Sequence, residues 1–247
     1  MFRRVLAAFF FALLCLPASA LDLTQMSEAE RAQFRAEVRA YLMDNPEVIM
    51  EAVQLLQDRE AAAQAQADLS LVENHATAIF DDGYSWVGGN PEGDITLVEF
   101  LDYRCGYCKR AHGEVAKLLE TDGNIRLIVK EFPILGEQSM LASRFAVATK
   151  QVAGGDSYKA LGDALMAYNG DVTLPALRRL ASTFGLDADA IEAAMGSESV
   201  TAEIAETRAL AQQLQISGTP TFVLEDELLR GYLPYDQMRA LVDEKRG

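Results

Sequence analysis

From Asp94 the chain reads D-I-T-L-V-E-F-L, a β-rich apolar run entered through the turn residues Gly89-Asn90-Pro91-Glu92-Gly93. At Lys109 the period changes, and Ala111, Val115, Leu118 and Leu119 fall on one helical face. Residues 125–134 are apolar again and predict the next strand. Strand, helix, strand in this order predicts a parallel pair joined by a right-handed crossover. Helical stripes follow over 139–152 (Leu141, Phe145, Ala148) and 156–168 (Tyr158, Leu161, Leu165). Thr173 opens another helix, with Pro175 in its first turn and Gly185 as its stop; Asp187 and Ser199 cap two more, the last running to about Gln215. Strands return over 221–224 and 228–232 around an acidic turn, Glu225-Asp226-Glu227, and 235–245 closes as a helix. The expected class is α/β: a β-α-β unit, a helical insertion over about 139–215, then β-β-α.

The segment ahead of this core has a different pattern. Residues 21–71 are rich in Ala, Gln and Glu and hold no glycine. Ser27-Glu28-Ala29-Glu30 forms a capping box, followed by Phe34, Val38, Tyr41 and Leu42 at helical spacing. Asn45, with Pro46 behind it, is expected to cap a second helix carrying Val48, Ile49, Ala52, Val53, Leu55 and Leu56 on a broad face. Such a stripe is stable only when packed on something. Residues 21–74 are therefore expected to be an N-terminal helical extension, with 21–71 a segment for homo-oligomerisation, and 75–247 the main domain.

Residues 1–20 have the form of a secretory leader. Arg3 and Arg4 give a charged start, residues 5–16 an apolar stretch, and Ala18-Ser19-Ala20 a cleavage site after Ala20. Twelve apolar residues fall short of the roughly twenty a spanning helix needs. Cleavage shortens the chain from 247 to 227 residues and takes the formal net charge from −15 to −17. So acidic a surface excludes nucleic acid and anionic membranes as expected partners. The expected location is the periplasm.

Cleavage also removes Cys15, leaving Cys105 and Cys108 in one C-G-Y-C. Neighbouring cysteines close too small a loop to act as a structural staple, so redox chemistry is the better reading in an oxidising compartment. Cys105 stands where a strand hands over to a helix. Unpaired N–H groups and the positive dipole end there favour its thiolate, and such cysteines titrate from about 3.5 to 7.5.

The run Phe100-Leu101-Asp102-Tyr103-Arg104-Cys105-Gly106-Tyr107-Cys108-Lys109, with Gly218-Thr219-Pro220-Thr221-Phe222 some 110 residues later, resembles the DsbA-like branch of the thioredoxin superfamily. The resemblance spans roughly 75–246 and implies a thioredoxin fold with an inserted helical subdomain. Asn45-Pro46-Glu47-Val48-Ile49 resembles the extension of the suppressor-of-copper-sensitivity C type and related disulfide isomerases. The resemblance implies that Pro220 is cis, that Thr219 presents its backbone to an extended substrate, and that such pairing holds many sequences. It implies catalytic roles for Cys105 (attack), Cys108 (resolution) and Glu99 (a buried acid taking the Cys108 proton), with Gly106 and Tyr107 tuning the site. Gly-Tyr between the cysteines and Thr before the proline are similar to the isomerase DsbC rather than to the oxidising DsbA with its Pro-His. The expected potential lies nearer about −180 mV than about −120 mV.

The chemistry needs no cofactor beyond a Cys105–Cys108 disulfide, and no metal site is expected. Expected partners are unfolded or misoxidised secreted proteins and a membrane redox partner. A monomeric dithiol oxidase and a Cu(I)-handling protein are the competing functions, soft thiolates favouring Cu(I). Lys130 is expected to pair with Glu99 from the neighbouring strand, and His112 to be a surface residue. His75 carries no signal. Tyr103, Tyr107, Phe132 and Tyr232 are candidates for an apolar rim around the dithiol.

Overall fold

The computed structural model describes residues 25–247; the leader reading lies outside them. The chain divides into two compact units between Arg59 and Glu60.

The first unit is helical. Ser27 and Glu30 make the reciprocal capping box at the start of α1 (Glu28–Asp44), which leaves α1 no orphan donor at Ser27. Asn45 does not cap the next helix with its side chain, as the sequence predicts. Its Nδ2 donates backward to Tyr41 O at 2.9 Å and so helps satisfy one of the last carbonyls of α1 instead. α2 (Glu47–Asn74) then begins. No residue of α1 is buried, and Phe34, Tyr41, Met50, Leu55 and Leu56 are exposed.

The second unit takes in the end of α2, whereas the core was expected to begin at His75. Val72 is buried in the core, and the Arg230 guanidinium grips Asp68 with two bonds. After α3 (Ala76–Phe80) come β1 (Trp86–Gly89), β2 (Ile95–Leu101), α4 (Gly106–Asp122) and β3 (Ile125–Glu131). Five helices follow: α5 (Glu137–Ala153), α6 (Gly155–Ala167), α7 (Leu174–Thr183), α8 (Ala188–Ala194) and α9 (Glu198–Gln213). β4 (Thr221–Leu224), β5 (Glu227–Arg230) and α10 (Tyr235–Arg246) complete the fold. The sheet order is β1-β3-β2-β4-β5, with β2 and β3 parallel as the crossover requires and the other pairs antiparallel. This is the α/β class expected, a thioredoxin fold carrying a helical insertion. β1 is not among the strands the sequence predicts, and its last residue, Gly89, is one of the expected turn residues. Gly89 ends it at φ +67°, where an added Cβ would stand 2.4 Å from Ile125 O. The last insertion helix is capped by Ser197, whose hydroxyl accepts from Val200 N, and not by Ser199.

Strand alternation sorts β2 into two faces. Leu97, Glu99 and Leu101 point toward α4 and the insertion; Val98 and Phe100 point toward Val72, Ile79 and Leu214. Both faces are covered, so the central strands are apolar throughout, as parallel strands in α/β proteins are.

Candidate active site

Cys105 is the N-cap of α4, its φ and ψ extended and its side chain making no capping bond. The sulfur is therefore free to act while the first N–H groups of the helix remain unpaired around it. Sγ lies 3.1 Å from Thr219 O, and the Thr219–Pro220 peptide is cis. The two segments that the sequence pointed to are in contact. Cys105 is 7% exposed, whereas Cys108, one turn deeper, is fully enclosed; both thiols are free. Burial pushes the Cys108 thiol far up, and the Glu99 charge adds to the shift.

Asp102 holds the loop in place. Its Oδ1 accepts from Arg104 N at 2.8 Å, an Asx turn at the end of β2. Its Oδ2 accepts from Ile134 N at 2.9 Å and Leu135 N at 3.0 Å, and Cys105 N donates to its backbone carbonyl. One fully buried carboxylate thus ties the dithiol loop to the segment that enters the insertion. An aspartate standing between an apolar strand and C-x-x-C is a signal for such a turn, but it was not singled out.

Glu99 is 2% exposed, and its Oε1 has no hydrogen-bond partner. Burial raises it to about 8, with the Glu131 charge on the neighbouring strand pushing the same way. Glu131 is itself pushed up to about 7 by burial, although Tyr103 and Tyr158 each donate to its Oε1 at 2.7 Å. The pairing of Glu99 with Lys130 does not occur. In the register Phe100 faces Lys130 and Glu99 faces Val129, which puts the two charges on opposite faces of the sheet. Lys130 instead bonds Asp82 at 2.5 Å, Ala78 O and Ser85 Oγ.

The raised Glu99 carries a stability consequence with a definite sign. A carboxyl lifted from 4.5 to about 8 favours folding below its unfolded value, and that contribution is lost as pH rises through the folded one. Glu99→Gln, which cannot ionise, is expected to gain on wild type in urea midpoint from about pH 4.5 up to about pH 8 and then level off. A difference constant across that range would remove the buried-acid account.

The expected aromatic rim divides. Tyr103 and Phe132 are core residues. Tyr107 is 59% exposed, its ring 6.4 Å from Tyr232, with the Arg110 guanidinium 5.6 and 5.4 Å from the two ring centres. His112 is not a plain surface residue: its Nε2 lies 3.0 Å from Asp163 of α6, and burial holds its pKa below the ordinary value. No three His, Cys, Asp or Glu side chains come together as a metal site among the described residues.

Residues 96–243 match the DSBA-like thioredoxin domain, and residues 30–63 match the copper resistance protein ScsC N-terminal domain. The chain is similar in structure to a thioredoxin-like oxidoreductase from Silicibacter pomeroyi, with 44% identity, TM-score 0.65, and 69% of this chain and 96% of that one covered. It is also similar to a linker-deletion mutant of ScsC from Proteus mirabilis, with 25% identity, TM-score 0.65, and 90% of this chain and 98% of that one covered. Among curated relatives, Na(+)/H(+) antiporter NhaA 3 of Salinispora tropica is 27% identical over 63% of this chain, which spans only 24% of the antiporter. With its ScsC-type N-terminal segment, its helical insertion and its buried C-x-x-C against a cis-proline, the chain belongs to the DsbA-like thioredoxin family of thiol–disulfide oxidoreductases.

Proposed function

We propose that the protein is an exported, periplasmic thiol–disulfide isomerase or reductase that acts on misoxidised secreted proteins. One observation carries this reading: Cys105 Sγ sits at the open start of a helix, 3.1 Å from the Thr219 carbonyl, with Cys108 sealed behind it. The Cys105 thiolate attacks a substrate disulfide, forming a mixed disulfide and releasing one substrate thiolate. The released thiolate can attack elsewhere in the client, which shuffles its pairing. Otherwise Cys108 gives its proton to Glu99 in its ionised form and attacks the Cys105 sulfur, releasing the second thiolate and leaving a Cys105–Cys108 disulfide for a membrane partner to reduce. Thr219 offers main-chain bonds to an extended client, and Tyr107 and Tyr232 offer apolar surface beside it.

The burial of Glu99, its unpartnered oxygen and the push of its charge on Cys108 support the relay. Glu99→Gln is expected to lengthen the lifetime of the mixed disulfide about tenfold or more while sparing the first attack, as quenched-flow mass spectrometry would show. Equal lifetimes would remove Glu99 from the mechanism. Recovery of scrambled ribonuclease in redox buffer tests shuffling itself; its absence, with a potential near DsbA's, would favour the oxidase reading. Cu(I) competition against a chelator decides the copper-handling alternative, which needs an affinity above that of a free dithiol.

The uncovered apolar side chains of α1 and the first half of α2 support self-association through residues 21–71. Light scattering is expected to give a multiple of the protomer mass for the mature chain and one protomer mass after deletion of residues 21–67. A monomeric mature chain would end this part of the reading.

A further inference from the structure

Between the sheet, α4 and α6 lies a cavity of about 250 Å³ that neither thiol lines. Its walls are Leu101, Val115, Leu127, Val129, Met166 and the Trp86 ring. Three buried polar residues interrupt them: Tyr103 and Tyr158, whose hydroxyls are already given to Glu131, and Glu99, whose Oε1 has no partner. The half-exposed His112–Asp163 pair and the exposed Ala116 also lie on the lining and mark where it opens to solvent.

We propose that this cavity is a binding site for a small neutral aromatic molecule bearing one hydrogen-bond donor, with its ring against Trp86 and its donor on the free oxygen of Glu99. Cavities of this kind are dry unless polar, and one of about 150 Å³ already takes a benzene ring. Here the space is larger and the wall is aromatic on one side. Of these polar groups Glu99 is the one left unpartnered, and it sets the polar requirement. A buried oxygen without a partner has lost its water and gained nothing in return, a deficit that a ligand O–H or N–H makes good. A charged ligand does not fit, because apolar walls return too little for the water it leaves. Occupancy also reaches the dithiol, and this part alone rests on the Glu99 relay: the ligand occupies the oxygen that receives the Cys108 proton.

Trp86 is the single tryptophan and lines this cavity, so the tryptophan emission comes from its wall. Phenol is the donor-bearing probe and toluene the control of the same shape, with excitation at a wavelength where neither absorbs appreciably. A saturable change with phenol is expected. Ala116→Leu, at an exposed helix position that leucine tolerates, is expected to abolish it by filling the opening. Glu99→Leu is expected to weaken phenol about fivefold while leaving toluene unweakened. A linear phenol response, an unaffected Ala116→Leu protein, or equal weakening of both probes would overturn the site. Saturating phenol is also expected to slow mixed-disulfide resolution in wild type. If Glu99→Gln resolves at the wild-type rate, the relay fails and the binding site stands. If phenol does not saturate, the site fails whatever Glu99→Gln does.

Discussion

Cys105→Ser is expected to reduce thiol–disulfide exchange to the uncatalysed background, whereas Cys108→Ser is expected to retain the first attack and accumulate a mixed disulfide. The asymmetry follows from position. Cys105 caps α4 with its sulfur against Thr219 O and is the more accessible of the two thiols, and a serine hydroxyl in its place cannot form a mixed disulfide. Cys108 is sealed and its thiol is pushed far up by burial, so it reacts only with a sulfur delivered to it across the turn. Mass spectrometry after mixing each variant with a disulfide peptide reads the outcome directly. Alkylation of the reduced wild type should label Cys105 about tenfold or more faster than Cys108. Adduct formation by Cys105→Ser, or matching labelling rates, would reverse the assignment of the two roles.

The second large effect is expected far from the dithiol. Lys130→Met should cost about 3–5 kcal/mol in urea unfolding, because it leaves the carboxylate of Asp82 enclosed without its partner. Lys130 has no side-chain exposure and Asp82 only 8%, so solvent screens neither. Burial alone would push Asp82 up, but the bonds from Lys130 and Ser85 outweigh it and hold the carboxyl below its ordinary value. The sign of the pH dependence follows. The Asp82 contribution is present above the unfolded carboxyl value of 3.8 and is lost as pH falls through the lower folded one. Lys130→Met combined with Asp82→Asn should recover part of the loss, since no bare charge is then buried. Exchange activity of the folded single variant should stay near wild type, as the pair lies on the sheet face opposite Glu99. A cost below about 1 kcal/mol would place the pair among surface ion pairs.

The elements that were legible in the sequence are those with local causes. The capping box at Ser27, the caps at Thr173 and Asp187, and the stop at Gly185 with φ +69° each depend on a few adjacent residues. The dithiol and the Thr219–Pro220 segment were legible through the family motif, since nothing local says that residues so far apart in the chain will touch. What was missed depends on register and depth. Pairing Glu99 with Lys130 needed the offset of β2 against β3, and a shift of one residue turns a side chain to the other face. Glu131 was as readable as Glu99, a carboxylate inside an apolar run, but its two tyrosine donors come from the β2–α4 loop and from α6. Asp82 and Asp163 have local partners in Ser85 and Lys159, but Lys130 and His112 reach them only through tertiary packing.

Asp102 has a wider consequence. Its two oxygens lash the reactive corner to the first residues leading into α5. The corner that carries the sulfurs and the entry to the five-helix lobe thus share one side chain, so a displacement of either is passed to the other. Sulfur connectivity can change hands through a catalytic cycle while the frame that aims it keeps its shape.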